Sequence, residues 1–228
     1  MDLGQEGGLV SAEGGEMRTL IAVPCLDMVK TDFMKCLLDL EKPDGTCYTV
    51  IKNTLIYNAR NLIADNAIKE GFDFVFWLDS DITFKPDTMI RLLRDAETYN
   101  LDFVSGLYFM RRKKTQPVLY KKIWWDVSQD GNVSTGAYPY TDYPSGLFKA
   151  DGVGFGCCLT SVKLLKAVGD IYGSPFTPLM GMSEDLAFCL RAKRTGFQLY
   201  CNSMIQCGHI GEMIFDEEYY KCQAEKGQ

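Results

Sequence analysis

Residues 74–78, FVFWL, sit inside the run FDFVFWL (72–78) and contain no polar position. A strand made from them has apolar side chains on both faces, and a sheet with one face in water cannot cover both. A parallel sheet with helices packed on each side can, and the flanking sequence supplies the helices. TLIAV (19–23) reads as a short buried strand ended by Pro24, DFMKCLLDLE (32–41) as a helix and YTVIK (48–52) as a second strand. TLIYNARNLIADNAIKEG (54–71) has Leu55, Leu62, Ile63 and Ala67 near one helical face and Gly71 as its stop. PDTMIRLLRDAETYN (86–100) is a helix opened by Pro86, and DFVSGLYF (102–109) is a fourth strand. Strand and helix alternate, so the predicted class is α/β, with a doubly wound, mainly parallel sheet of the nucleotide-binding kind.

After residue 110 the pattern loosens. RRKKTQPVLYKKIWWDV reads as strand or hairpin material, and SQDGNVSTGAYPYTDYPSG as a long polar loop dotted with aromatics. FKADGVGFGCCLTS (148–161) reads as one strand punctuated by glycines, and VKLLKAVG (162–169) as a short helix. SEDLAFCLRAKRTG (183–196) is a helix with Ser183 at its N-cap and Gly196 beyond its last turn. The 228 residues suit one domain, expected over 18–212, with a flexible leader at 1–17 and a tail or short helix at 213–228. The leader is Gly- and Glu-rich without the pattern of a signal peptide, and Met17 is an alternative start.

A net charge of −6 argues against a general nucleic-acid binder, yet allows a local basic pocket for a small anion. No apolar stretch approaches the roughly 20 residues that span a bilayer, which leaves only peripheral membrane association open. Nine cysteines without C-x-x-C spacing fit reduced, mostly buried thiols and a cytoplasmic location.

Chemistry concentrates where FVFWL stops. Asp79 and Asp81 flank Ser80 just past a strand, where ligands gather in such sheets. Residues i and i+2 of a strand project to the same face, so two carboxylates so spaced can converge on one hard cation. Turn chemistry alone also places Asp and Ser together. His209, the chain's single histidine, lies in CGHIG between two glycines that permit close backbone approach, and an imidazole can complete an oxygen-rich Mn²⁺ site. Glu184 and Asp185 open a helix; the helix dipole accounts for them, but a carboxylate there can also serve as a general base. RRKK (111–114), with Arg111 at its head, is a basic turn that could offset diphosphate charge. GVGFG (152–156) lacks the phosphate-loop pattern and fits either backbone approach to a ligand or bulge packing.

In order, AVPCLD, NARNLIADNAIKEGFDFVFWLDSDI, GLYFMRR, GVGFGCCLT, MSEDLAFCLRAKRTGF and CGHIG span most of residues 18 to 211. Their order resembles that of GT-A-fold glycosyltransferases, especially short bacterial and phage-type members similar to family 2. The resemblance implies a single-domain GT-A fold and transfer of a sugar from a UDP- or GDP-sugar to a hydroxyl acceptor, expected to invert, with Mn²⁺ or Mg²⁺ bound. It implies that Asp79 and Asp81 form the D-x-D motif, with Asp81 the direct metal ligand, and that His209 is the third protein ligand. It further implies that Pro24 and Leu26 border the nucleotide, with Ser80 and Arg111 on the donor side. Arg60 would contact donor base or phosphate, Asp185 would be the catalytic base, and Glu184 would lie near the acceptor sugar. One departure stands out: many family-2 members carry an acidic run after the second strand, and here no acid lies between Tyr48 and Arg60.

Two other readings compete. DSDIT also fits a haloacid dehalogenase-type phosphatase with Asp79 as nucleophile, although that motif normally sits on the opening strand. A non-catalytic nucleotide-sugar or glycan binder could keep the same fold.

Overall fold

The computed structural model describes residues 17–111 and 115–211. The leader to residue 16, the basic residues 112–114 and the tail from 212 onward, with the expectations placed on them, lie outside the described residues. Met17, assigned to the leader by sequence, belongs to the folded domain: it is buried in the core beside Ile21 and Phe33.

The elements in order are β1 (Thr19–Pro24), α1 (Thr31–Leu38), β2 (Cys47–Ile51), α2 (Ile56–Lys69), β3 (Phe74–Leu78), β4 (Ile82–Thr83) and α3 (Thr88–Tyr99). β5 (Phe103–Leu107), β6 (Leu119–Val127), β7 (Val133–Pro139), β8 (Leu147–Ala150), β9 (Gly152–Val153) and β10 (Cys157–Ser161) follow. The chain continues through α4 (Val162–Tyr172), α5 (Glu184–Arg194), β11 (Leu199–Gln206) and β12 (Gly208–His209). A seven-stranded sheet runs in the order β2-β1-β3-β10-β5-β11-β8. β2, β1 and β3 are parallel, β11 is parallel to β5, and β10 is inserted antiparallel between β3 and β5. β8 closes the far edge antiparallel to β11. The expected mixed, mainly parallel sheet flanked by helices is the architecture observed.

β3 shows why FVFWL dictated it. Val75 and Trp77 enter one core with Ile63, Ala64 and Ala67 of α2, Leu164 and Val168 of α4 and Phe188 of α5. Phe76 and Leu78 enter the opposite core with Phe33 of α1 and Met89, Leu92 and Leu93 of α3. Trp77, fully buried, satisfies its indole by donating to Thr160 Oγ1 at 2.8 Å. Around it Phe155, Phe176 and Phe188 form an aromatic cluster, the last two stacked at 4.5 Å.

Several local readings change. The segment 148–161 is three strands rather than one, and they belong to two sheets: β8 and β10 to the main sheet, β9 to a small sheet with β6 and β7. The glycines explain the break. A Cβ at Gly152 would press on Ile123 and Leu186, and one at Gly154 or Gly156 would collide with Tyr108. Close packing therefore fills GVGFG, with the Tyr108 hydroxyl accepting from the Gly156 amide at 3.2 Å. Part of the expected polar loop is β7, which pairs with β6 so that Trp124 lies flat over Gly136. On α2, Leu55 and Leu62 are exposed, and the buried face is Ala59, Arg60, Ile63, Ala64 and Ala67. Ser183 is the N-cap residue of α5 as expected, but its hydroxyl donates to Asp185 Oδ1 and accepts no backbone amide of the helix.

Candidate active site at the carboxyl ends of the parallel strands

β1, β2, β3 and β5 end at the same edge of the sheet, and the turns that follow them surround a cleft of about 400 Å³. Pro24, Cys25 and Leu26 line it after β1; Thr54, Leu55, Ile56 and Ala59 after β2; Asp79, Ser80 and Asp81 after β3; Arg111 after β5; and His209 completes it. Pro24, Leu26, Asp79, Ser80, Asp81, Arg111 and His209 had been singled out in the sequence, and one cleft gathers all of them. Cys25, Thr54, Leu55, Ile56 and Ala59 had not. The signal that could have found the last four is topological: they open the helix that follows β2. Leu26 and Leu55 are 70% and 60% exposed, so this wall is apolar and open. No carboxylate stands among the residues that follow β2 in the lining.

The two aspartates take different partners. β3 ends at Leu78, and a turn follows in which the Ile82 amide donates to the Asp79 carbonyl at 3.1 Å. The i, i+2 geometry of an extended strand is lost there. Asp79 Oδ1 receives Arg60 Nη2 at 2.7 Å, whereas Asp81 Oδ2 receives Arg111 Nη1 at 2.8 Å. Among the described residues, no three His, Cys, Asp or Glu side chains are grouped to hold a metal ion.

Asp81 and His209 do meet. β4 and β12, each two residues long, pair antiparallel with His209 opposite Ile82, and the Ile210 amide donates to the Asp81 carbonyl at 2.8 Å. Gly208 is required there, since a Cβ would lie 2.3 Å from Thr83 Oγ1. His209 Nδ1 donates to the Phe109 carbonyl at 2.9 Å, because a carbonyl can only accept. Its Nε2 stands 3.6 Å from Asp81 Oδ1. Burial alone would raise the Asp81 carboxyl, but the neighbouring His209 ring and the Arg111 charge outweigh it and hold the group below its ordinary value. A carboxylate oxygen and an imidazole nitrogen whose tautomer is set by a backbone carbonyl make a donor set suited to Mn²⁺.

Arg60 is buried, 2% exposed, and does not line the cleft. It joins Asp79 to Glu184, whose Oε1 it reaches with Nη1 at 2.5 Å. Glu184 and Asp185 are also absent from the cleft lining, and Asp79 is tied to Glu184 through Arg60. Burial raises the Glu184 carboxyl, and Arg60 offsets only part of that. Asp185 Oδ1 accepts from the Ser183 hydroxyl and from the Leu186 amide, which leaves Oδ2 to take a proton. The Tyr108 phenol, raised well above its ordinary value by burial first, then feels both Asp79 and Asp185, so the two carboxylates act on one locality.

No protein-family model matches the sequence, and no curated protein matches it. Similarity appears in the fold. A197 from STIV superposes with a TM-score of 0.62 at 16% identity, covering 86% of this chain and 87% of that one. GalNAc-T7, solved with UDP, GalNAc and Mn²⁺, superposes with a TM-score of 0.56 at 10% identity, covering 86% of this chain and 43% of that one. The fold is the GT-A-like arrangement expected from the order of the motifs. Among the described residues, no helix is long and apolar enough to cross a membrane.

Proposed function

We propose that this chain is a glycosyltransferase that takes a sugar from a nucleotide-diphosphate sugar, held with a divalent cation in the cleft, and passes it to a hydroxyl acceptor. The observation that carries this is the meeting of Asp81, His209 and Arg111 at the mouth of a cleft formed by the carboxyl ends of β1, β2, β3 and β5. The UDP and Mn²⁺ of GalNAc-T7 support a nucleotide donor and a metal for this fold.

Asp81 and His209 would hold the cation, Mn²⁺ or Mg²⁺, with remaining positions left to the diphosphate. Bound there, the cation would neutralise charge growing on the leaving diphosphate. Arg111, about half exposed, is placed to meet the same charge. Asp79 borders the cleft while its Oδ1 is held by Arg60. The apolar wall of Leu26, Leu55 and Ile56 suits the face of a nucleobase, and Thr54 supplies a hydroxyl in place of the acid that follows the second strand in many family-2 enzymes. Asp185 is assigned as the base, taking the acceptor proton on Oδ2, with Glu184 beside it; this assigns an inverting displacement.

The phosphatase reading expects its aspartate nucleophile after the opening strand, whereas Asp79 follows the third strand, β3. A thermal-shift screen of UDP- and GDP-sugars with and without Mn²⁺ tests the proposal. Stabilisation that requires both metal and one donor, followed by release of the nucleotide on adding an acceptor glycan, is expected. No shift with any donor in Mn²⁺ would reject it.

A further inference from the structure

Arg60 sits where a donor-contacting residue was expected, yet its surroundings assign it different work. α2 packs on the sheet through small residues, Ala59, Ala64 and Ala67, with Ile63, so the helix lies close and carries the Arg60 side chain inward. The guanidinium lies over the buried Phe155 ring at 5.2 Å. Each of its two Nη atoms engages a different carboxylate, Asp79 at 2.7 Å from the end of β3 and Glu184 at 2.5 Å from the start of α5. The group stays charged: burial would discharge it, and Asp79 and then Glu184 outweigh burial. Its Nε is buried with no acceptor, a cost to folding that apolar packing of the same volume would avoid.

We infer that Arg60 is a positioning residue that fixes the Asp79 and Glu184 carboxylates relative to each other, joining the donor cleft to the start of α5, without touching the donor. Glu184 is the first residue of a helix that lacks a side-chain cap, so the Arg60 bridge pins that helix end and with it the neighbouring Asp185. A planar fork can hold two carboxylates on separate elements at once; an ammonium acts as a single point and cannot reproduce that geometry.

The inference rests on the glycosyltransferase reading only for its kinetic arm. The first arm uses the ligand-free full chain labelled with ¹³C at glutamate carboxyls, the Glu184 signal being assigned with Glu184→Gln. Asp79→Asn should shift the Glu184 signal, and the same change made in an Arg60→Lys background should not. An unmoved Glu184 signal in Asp79→Asn would overturn the linkage, and this measurement stands even where Arg60→Lys does not fold. The second arm measures UDP affinity in Mn²⁺ and turnover of a nucleotide sugar. Arg60→Lys should keep UDP affinity within about threefold while turnover at saturating donor falls by about tenfold or more. A tenfold or larger loss of UDP affinity with saturated turnover unchanged would mean direct donor contact, and would overturn the inference. A wild-type chain that turns over no nucleotide sugar counts against the proposed function, and the carboxyl signals then decide the role of Arg60 alone.

Discussion

His209 Nε2 stands 3.6 Å from Asp81 Oδ1, although the histidine ends the last described strand and the aspartate follows the third. Two-residue strands bring them together, and the contact of Nδ1 with the Phe109 carbonyl orients the imidazole so that Nε2 faces the acid.

If this pair is the cation seat, His209→Ala and Asp81→Asn each weaken Mn²⁺ binding by at least about tenfold, the scale on which even supporting partners act in metal sites. Asp79→Asn, whose native partner is Arg60, weakens it less than either. Titration followed by the electron paramagnetic resonance of free Mn²⁺ checks the ranking, and equal losses in all three variants would contradict it.

The same contact gives a pH signature. The Asp81 carboxyl is held below its unfolded value, so it contributes stability above that value, about 3.9, and loses the contribution as pH falls through the lower folded value. Wild type should therefore lose more stability than Asp81→Asn as pH is lowered from 5 toward 3. Urea midpoints across that interval measure the difference, and parallel curves would refute the assignment.

Gly154 is a packing requirement. A Cβ there would sit 1.9 Å from the Tyr108 hydroxyl and 2.7 Å from Val118. Gly154→Ala is expected to cost about 3 kcal/mol, at the upper end of ordinary overpacking. Tyr108→Phe should recover part of that loss by removing the clashing oxygen. Thermal unfolding of the single and double variants reads the coupling; purely additive effects would show that the two residues do not share the space.

The buried thiols should be inert. Burial pushes Cys189 and Cys201 up to about 12 and Cys158 well above its ordinary value. Cys25, Cys36 and Cys47 are partly or fully exposed. Native labelling with a thiol-specific disulfide reagent, mapped by mass spectrometry, should modify those three and spare Cys158, Cys189 and Cys201 until denaturant is added. Early modification of a buried thiol would show that the core opens more readily than its packing implies.

Much of the site was legible because it obeys a local rule: side chains just past the carboxyl ends of parallel strands face the ligand edge. The Asp79–Asp81 turn follows directly from a strand end visible as an apolar run, whereas Pro24 and Leu26 entered through the resemblance to GT-A enzymes. Arg60 could not be placed the same way. Helical spacing puts it near Ala59 and Ile63, but nothing local says that its charge is buried or which carboxylates neutralise it. Which partners Asp79 and Asp81 take depends on whether β3 continues or turns after Leu78, and both are compatible with DSDIT.

The sequence by itself determined the layered α/β class, because FVFWL can be covered only between two helical layers, and it marked the acidic, basic and imidazole groups of the candidate site. Only the tertiary structure decided which of them meet. The antiparallel insertion of β10, the β4–β12 ladder and the Arg60 bridge join residues up to 127 positions apart, as in the pairing of Ile82 with His209. Such contacts are set by packing and by the pairing of buried charges, which depend on the whole chain and leave no periodic trace in any one segment.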